Sequence, residues 1–512
     1  MTTQKLDVLR ATAGEIRGLL DAGNTTSVEL VKTYLAQIGI HNHAGARLNA
    51  VISTAPEELL LEQAQALDME RQQSQSRSRI HGIPILVKDQ FCMPSFGLPT
   101  TAGTLGLKGL KTKNDAAIPT LLKKAGALII ATTNLSELGN AKGYNITAGW
   151  SPIGGQTQTP YVKGGVEEDA LWLGHSTPAG SSSGSAVGVA AGFAPLSIGT
   201  ELDGSIVQPA LRVGLYSLKP TPLSHDLRGS QAEGSLNTRV SPLARTAKDV
   251  ADLTAVLLGR QDYDSSLTGT WDGIRIAYLN ADKWHYPEGI SESNEKFDTQ
   301  SKEETRIALA KAESLGAKVV YDAPLPLLSE MEKDHGAPPL GDISLFEVRL
   351  TLEKFFANFE PQPFHTLEEF VQFNEAHASE ELPGDFNQMH LERAVKHNMT
   401  QKEYERDQNL LKEKTREIID KCLSDTGSDV IMASGESLLT SVAMAAAYPI
   451  GSVPLGWAKF NGRGFGLEVM ARNGEEDKIL RVMSAWERML PEAVKPPALL
   501  EPSASLDFHA EL

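Results

Sequence analysis

The chain has 512 residues, 41% of them hydrophobic, and is therefore long enough to bury a large core. Its 48 basic and 65 acidic residues give a net charge of −17, which disfavours nucleic acid as a partner because phosphates are repelled. Two cysteines exclude a disulfide framework. The sequence has neither a secretory signal pattern nor an apolar run of membrane-spanning length, so we expect a cytoplasmic protein with no membrane span.

The first predicted elements are helices. Two amphipathic helices are expected over residues 7–40, followed by a third at about 55–71. The short apolar run at 83–87 predicts a buried strand that ends at Lys88, and residues 127–133 predict a second strand. The stretch 149–185 is rich in Gly, Ser, Thr and Pro and is expected to be loop.

The second half alternates in the same way. Small apolar residues at 185–194 predict a tightly packed helix, and residues 195–200 predict a strand that leads to Ser205. Beyond about residue 265 the pattern is β-α-β. This alternation predicts an α/β protein, a single large α/β/α layered domain whose central mixed, mostly parallel twisted sheet is covered by helices.

The chain is expected to form one domain over residues 1–495, followed by a Pro-rich, poorly ordered tail at 496–512. Within that domain we distinguish N-terminal helices (7–71), a core (about 78–260), a variable helical region (about 325–430) and a C-terminal return to the core (431–490).

Three features suggest chemistry. Lys88 ends an apolar strand, where desolvation would favour the neutral amine and allow it to act as a base; the alternative is a lysine that extends to solvent. The loop 179–185, AGSSSGS, is either a binding loop or a linker, and structured segments on both sides argue against a linker. Ser205 follows a strand in GTELDGS, a tight turn in which successive backbone N–H groups can converge on an anion.

A serine nucleophile needs a nearby base, and a serine–lysine arrangement is one known solution. The segments HGIPILVKD and GSSSGSAVGVAAGFAPLSIGTELDGSIVQPA resemble the amidase signature family of Ser–Ser–Lys hydrolases. Further similar text occurs at 131–137, 239–246 and 448–455, so the resemblance covers nearly the whole chain. The variable region is most similar to the peptide-amidase-like microbial and fungal branch.

The resemblance implies a role for each motif residue. Ser205 would be the nucleophile, Ser181 the bridging serine after a cis peptide bond from Gly180, and Lys88 the base. The oxyanion hole would consist of the backbone N–H groups of Leu202, Asp203, Gly204 and Ser205.

The implied reaction is serine-dependent hydrolysis of a carboxylic amide through an acyl-enzyme. The bond would be a C–N bond of a linear amide other than a peptide bond. We expect a small-molecule amide substrate, no cofactor and no metal, and a monomer or homodimer. Two alternatives stay open, an acyltransferase or esterase that uses the same acyl-enzyme, and a catalytically silent or complex-bound subunit such as the amidase-like component of the tRNA amidotransferase.

The sequence departs from the family pattern beside the nucleophile. Asp203 replaces the usual glycine, and Val207 replaces the usual arginine, which would pair with an acidic residue of this loop. We therefore expect Arg212 to pair with Glu201 or Asp203 instead.

The region before the serine loop is also longer than usual, with an insertion at about 162–175. The insertion either lines the pocket, with Trp172 and His175 as substrate contacts, or is a surface excursion. Gly180 and Ser182 are further candidate substrate contacts. Four aromatic residues of the variable region form either an apolar acyl pocket or simply core: Phe346, Phe355, Phe356 and Phe373.

Overall fold

The computed structural model describes residues 6–222 and 226–500. The strands within them are β1 (Val51–Thr54), β2 (Pro84–Lys88), β3 (Lys111–Thr112), β4 (Leu128–Thr133), β5 (Trp150–Ser151), β6 (Gly155–Gln156), β7 (Leu196–Glu201), β8 (Tyr216–Lys219), β9 (Arg239–Ala244), β10 (Arg275–Tyr278), β11 (Lys318–Val320), β12 (Phe359–Glu360), β13 (Val430–Ser434), β14 (Ile450–Trp457) and β15 (Gly464–Met470).

The α-helices in the same residues are α1 (Ala13–Asp21), α2 (Ser27–His41), α3 (Glu57–Gln72), α4 (Ala117–Lys124), α5 (Ser183–Ala190), α6 (Val207–Arg212), α7 (Ala247–Leu258), α8 (Glu295–Ser314), α9 (Leu328–Asp334), α10 (Leu340–Phe356), α11 (Leu367–Ala376), α12 (Ala378–Glu381), α13 (Met389–Lys396), α14 (Gln401–Asp425), α15 (Leu439–Ala446) and α16 (Glu476–Met489). The two predicted N-terminal helices correspond to α1 and α2. Each begins after a threonine, Thr12 or Thr26, that forms a capping box with the glutamate three residues later.

Eleven strands form one sheet in the order β1-β4-β2-β7-β9-β8-β14-β15-β13-β10-β11. The predicted layered α/β fold with a central mixed sheet is confirmed. The expectation of mostly parallel strands is wrong, because four neighbouring pairs are parallel and six are antiparallel. Short connections such as the turn between β14 and β15 enforce antiparallel pairing, whereas parallel neighbours need a crossover.

Strand β2 lies inside the sheet, parallel to β4 on one side and to β7 on the other. All five of its residues are buried, as expected for a strand covered on both faces. Since Val87 pairs with Ile198, Lys88 comes level with the end of β7. The carboxyl ends of β2 and β7 therefore meet at one edge of the sheet, and the Ser205 turn follows directly.

Helix α5 consists of small residues, and all of them are buried. A β-carbon on Gly188 would lie 2.5 Å from Leu86 Cδ1, and one on Gly184 would lie 2.3 Å from the Ala50 carbonyl oxygen. The helix can therefore lie directly on the sheet, which brings the serine loop at its N-terminus against the end of β7.

The described part of the chain ends inside the fold. Pro497 and Leu500 are buried, so the beginning of the predicted tail packs against the protein, while residues 501–512 lie outside the described residues. Among the helices of residues 6–222 and 226–500, none combines the length and the apolar character that crossing a membrane requires.

Candidate active site

Lys88 is fully buried, and its amine contacts two hydroxyl groups. Its Nζ lies 2.7 Å from Ser181 Oγ and 3.1 Å from Thr200 Oγ1. Burial lowers the pKa of the Lys88 amine well below its ordinary value, although the nearby Glu201 carboxylate acts in the opposite direction. The lysine therefore does not extend to solvent, and its environment favours the neutral amine.

The serine loop is held against the nucleophile turn by its backbone. The peptide bond between Gly180 and Ser181 is cis, as the family resemblance implies. The next N–H group, of Ser182, donates to the Ser205 carbonyl at 3.1 Å, and the Ser182 hydroxyl donates to the Thr200 carbonyl at 3.2 Å. The loop that carries Ser181 is thus fixed to both β7 and the turn that carries Ser205.

Ser205 is 8% exposed and lies after Gly204, whose φ of 74° favours glycine. The backbone N–H groups of Asp203, Gly204 and Ser205 donate no hydrogen bond to any part of the chain that the structure describes. Three consecutive free donors beside a serine hydroxyl can receive the developing charge of an oxyanion.

Glu201 has no arginine partner at position 207 and binds backbone N–H groups instead. Its buried carboxylate accepts hydrogen bonds from the N–H groups of Ile206 at 2.7 Å and Val207 at 2.9 Å. Burial raises the pKa of Glu201, while Lys219 and these hydrogen bonds oppose the shift. Glu201 therefore fixes the chain immediately after Ser205 through backbone contacts that any residue at position 207 can provide.

The carboxylate of Asp203 is exposed and accepts a hydrogen bond from the Ser441 hydroxyl at 2.7 Å. This contact holds the side chain against α15. Asp203 therefore keeps its backbone N–H available while its charge is engaged elsewhere.

The predicted pairing of Arg212 with Glu201 or Asp203 is wrong. The Arg212 guanidinium donates to the carbonyl groups of Leu173 (2.9 Å), Gly174 (2.7 Å) and Thr177 (3.2 Å). It also lies 3.2 Å from the Glu436 carboxylate. A guanidinium with five donors can bind several carbonyl groups at once, and here it holds the end of the 162–175 insertion.

We predict that Arg212→Leu loosens this segment. Three carbonyl groups would lose their donor, so amide hydrogen exchange over residues 171–177 should accelerate at least about tenfold. Hydrogen exchange with mass spectrometry measures this directly. Arg349→Leu, which removes a half-exposed pair with Glu353, is the control and should leave the segment unchanged. Unchanged exchange in Arg212→Leu would contradict the assigned role.

His175 lies beside a cavity other than the one that contains the two serines. Its Nδ1 lies 2.7 Å from Arg463 Nη2, and it lines a separate cavity of about 620 Å³ together with Trp284 and Tyr286. Burial and the neighbouring arginine lower the pKa of His175 to about 4. Trp172 packs in a small apolar cluster with Ala148, Leu173 and Ala179.

The pocket at the two serines has a volume of about 90 Å³. Most of its surface is apolar, with polar side chains interspersed, and its lining comes from the core and from α10: Gln90, Leu138, Gly139, Ala141, Ser181, Thr200, Leu202, Ser205, Gln231, Ala232, Thr238, Ser344, Glu347, Val348 and Thr351. The lining includes none of Trp172, His175, Gly180 and Ser182, whose contact with substrate stays a prediction.

The aromatic residues of the variable region form core rather than a pocket. Phe355 and Phe356 are fully buried, and Phe356 packs against Phe364 with ring centroids 5.2 Å apart. Phe346 stacks on Tyr404 at 4.7 Å and Phe373 on His377 at 4.1 Å. Helix α10 lines the serine pocket with residues one and two turns before Phe355, among them Glu347 and Thr351.

The sequence reasoning missed most of the pocket residues, among them Gln90, Thr200, Gln231 and Glu347. Gln90 and Thr200 carried a signal, because Gln90 is two residues beyond Lys88 and Thr200 precedes Glu201 in the motif strand. Glu347 lies four residues from both Ile343 and Thr351, on the buried stripe of α10. Gln231 follows a Gly/Ser stretch and had no recognisable signal.

Glu347 is a buried carboxylate in this pocket. It accepts hydrogen bonds from the hydroxyl groups of Ser235 and Tyr404, the latter at 3.1 Å. Burial raises its pKa, while these bonds and the charges of Arg239 and Lys219 act in the opposite direction. The variable region thus places a polar group opposite the serines, where it can contact a bound molecule.

Comparisons with known proteins found similarity to amidases and to an amidotransferase subunit. A solved peptide amidase from Stenotrophomonas maltophilia is 30% identical, with a TM-score of 0.80 over 96% of this chain and 99% of that one. A protein named "Probable amidase" from Arabidopsis thaliana is 28% identical over 94% of this chain and 90% of its own. One of the subunits of the glutamyl-tRNA(Gln) amidotransferase of Chloroflexus aurantiacus is 33% identical, over 60% of this chain and 59% of its own.

The model of one protein family, described as Amidase, matches residues 29–435, which is most of the chain. The chain therefore belongs to the amidase family of amide hydrolases.

Proposed function

We propose that the chain hydrolyses a linear carboxylic amide through an acyl-enzyme, with Ser205 as the nucleophile, Ser181 as the bridging serine and Lys88 as the base. The observation that carries the proposal is the 2.7 Å contact between Ser181 Oγ and a fully buried Lys88 amine. A buried amine that favours the neutral state can take a proton, whereas an ammonium cannot.

In the proposed first half-reaction, Ser205 Oγ attacks the amide carbonyl carbon. Its proton passes to Ser181 Oγ while the Ser181 proton passes to Lys88 Nζ, so that one proton is transferred overall. Negative charge then develops on the carbonyl oxygen. The free N–H groups of Asp203, Gly204 and Ser205 support an oxyanion hole at this point, with Leu202 as the fourth member of the proposed set.

The second half of the cycle reverses the proton path. The C–N bond breaks, and the leaving nitrogen takes the proton back from Lys88 through Ser181. Water then attacks the ester at Ser205 with the same base, which releases the carboxylic acid and restores the hydroxyl. The enzyme's own groups supply every proton movement, and the sequence of steps requires no redox chemistry.

The pocket at the serines supports a small group next to the scissile bond. A volume of about 90 Å³ corresponds to roughly three water molecules. Polar side chains from Gln231, Thr238, Ser344 and Glu347 line it. We therefore propose a substrate that places a compact hydrogen-bonding group on this side of the amide.

Labelling with a fluorophosphonate tests the nucleophile. We predict that the wild-type protein gains one probe mass, mapped to Ser205, while Ser205→Ala gains none. Ser181→Ala should label about 100-fold or more slowly, because the proton loses its path to Lys88. Circular dichroism establishes that each variant is folded. A folded wild-type protein that resists the probe would contradict the proposal.

The same experiment separates the alternatives. An acyltransferase or esterase would also label at Ser205, and adding an amine to the acyl-enzyme formed from an amide would then yield a new amide instead of the acid. A protein that works only within a complex would label only after its partner is added. A sequence match to a probable amidase over 94% of this chain, against 60% for the amidotransferase component, favours the free-standing hydrolase.

A further inference from the structure

Lys88 is connected to a line of hydrogen bonds that leads away from the serines. Lys88 Nζ is 3.1 Å from Thr200 Oγ1, and Thr200 Oγ1 is 2.5 Å from Gln90 Oε1. Gln90 Nε2 is 2.6 Å from Gln231 Oε1, and Gln231 Nε2 is 2.8 Å from the carbonyl oxygen of Leu138. We call Thr200, Gln90 and Gln231 the orienting chain.

The carbonyl at the far end determines the direction of every bond. A carbonyl oxygen can only accept, so Gln231 must turn its NH₂ group to Leu138 and its oxygen to Gln90. Gln90 must then present NH₂ to Gln231 and its oxygen to Thr200. The Thr200 hydroxyl has one proton, and it donates that proton to Gln90.

The last link acts on the lysine. Because the Thr200 proton is committed to Gln90, Thr200 Oγ1 can only accept from Lys88 Nζ. The neutral amine has two N–H bonds and one lone pair. One N–H bond is directed to Thr200 Oγ1, and the other has the Thr200 carbonyl oxygen, 3.5 Å away, as an acceptor. The lone pair is thereby left for the third neighbour, the hydroxyl of Ser181.

Resting on the proposed function, we infer that Thr200, Gln90 and Gln231 are positioning residues that turn the lone pair of Lys88 toward Ser181. No hydrogen bond joins the side chains of the orienting chain to Ser205 among the residues that the structure describes. The orienting chain acts by excluding the arrangement in which the Thr200 hydroxyl donates to Lys88 and occupies the lone pair that should receive the serine proton.

The burial of the orienting chain supports this assignment. Thr200, Gln90 and Gln231 are 6%, 4% and 8% exposed, so water competes little for their hydrogen bonds. The two glutamines are also joined by their backbones, since the Gln231 N–H donates to the Gln90 carbonyl at 2.9 Å. In a buried chain of this kind each bond polarises the next, and a single reversed link would reverse those that follow.

The test compares the rate at which the fluorophosphonate labels Ser205 in four variants. Gln231→Leu removes the anchor, and Thr200→Val removes the hydroxyl that must accept from Lys88. We expect each to slow labelling about tenfold or more, a fraction of what a general base contributes. Thr200→Ser retains the hydroxyl and should label within about threefold of the wild type.

Gln388→Leu is the matched control. Gln388 is also buried and also accepts from an amide, Asn374 Nδ2 at 3.0 Å, while donating to a carbonyl, that of Val371 at 3.3 Å. It lies outside the pocket that contains the serines. The Gln388→Leu variant loses the same kinds of hydrogen bond and should keep the wild-type labelling rate. Thermal unfolding of all four variants establishes that each is folded.

The outcomes are distinct. Slow labelling by folded Gln231→Leu and Thr200→Val, with recovery in Thr200→Ser and no effect in Gln388→Leu, supports the inference. Equal labelling of the wild type and Gln231→Leu overturns it while leaving the proposed function intact. A folded wild-type protein that does not label overturns the proposed function and the orienting role with it.

Discussion

Replacing Lys88 by methionine is expected to abolish labelling while making the protein more resistant to acid. Labelling of Ser205 should fall about 100- to 10,000-fold, the contribution of a general base. The stability effect follows from burial. The wild-type fold holds the lysine neutral, with a pKa well below the value of 10.5 that it has in the unfolded chain. Methionine has a similar shape and carries no such penalty.

The sign of the pH effect is fixed by proton binding. Between the lowered pKa in the fold and 10.5, the unfolded wild-type chain binds a proton that the folded chain does not. Its free energy of unfolding therefore rises with pH, by up to about 1.4 kcal/mol per pH unit from this group. Lys88→Met lacks this contribution, so its advantage over the wild type should be largest at the low end of that window and shrink as pH approaches 10.5.

Denaturant unfolding at a series of pH values measures the difference between the two proteins. Ser205→Ala is the matched control, because it loses labelling but retains the lysine. It should follow the wild-type dependence on pH. If wild type and Lys88→Met respond to pH in parallel, Lys88 is charged in the fold, and its role as a base is contradicted.

The sequence predicted the parts of the site that lie in continuous segments. Lys88 could be recognised because it ends an apolar run, and Ser205 because it follows a strand at a glycine turn. Ser181 depended on the family resemblance. The α/β layering followed from alternating elements, but the ratio of parallel to antiparallel pairs did not, since it depends on which strands become neighbours.

What could not be predicted depends on contacts between distant segments. Arg212 was assigned to acidic residues nearby in sequence, yet it contacts carbonyl groups of the insertion and Glu436, more than 200 residues away. The role of Gln231 follows only from its hydrogen bonds with Gln90 and Leu138. Likewise, the sequence left open whether the aromatic residues of α10 line a pocket or form core, because helical periodicity shows that a face is buried, but not what it is buried against.

A buried ionic group couples the variable region to the serine pocket. Lys142 Nζ lies 2.7 Å from the Glu137 carboxyl and also contacts the carboxylate of Glu381, and all three side chains are fully enclosed. Burial raises the pKa of Glu137 well above its usual value. Burial opposes ionisation of Glu381 as well, but Lys142 and hydrogen bonds from Glu137 and Leu105 hold its pKa below the usual value. Of the two carboxyl groups, Glu381 is therefore the one whose ionised form is favoured, and Glu137 is the one whose ionised form is disfavoured.

This group adjoins the orienting chain. Glu137 directly precedes Leu138 and Gly139, which line the pocket, and the Leu138 carbonyl anchors Gln231. Glu381 belongs to α12 and also accepts from Thr104 Oγ1 at 3.0 Å. The segment from residue 137 to 142 is thus clamped between the core and the variable region, and its position determines where the Leu138 carbonyl points.

Lys142→Met is therefore expected to destabilise the fold by about 3–5 kcal/mol, because it leaves a carboxylate buried without its partner. Adding Glu381→Gln removes that charge, so the double variant should recover more than half of the loss. Denaturant unfolding gives both values, and Arg306→Met, which breaks an exposed pair with Glu303, should cost less than about 1 kcal/mol. Because Leu138 would shift, Ser205 labelling should slow in Lys142→Met even under conditions where the protein is folded. Simple additivity in the double variant would show that the ionic group does not act as a unit. Wild-type labelling by folded Lys142→Met would show that the group does not support the active site.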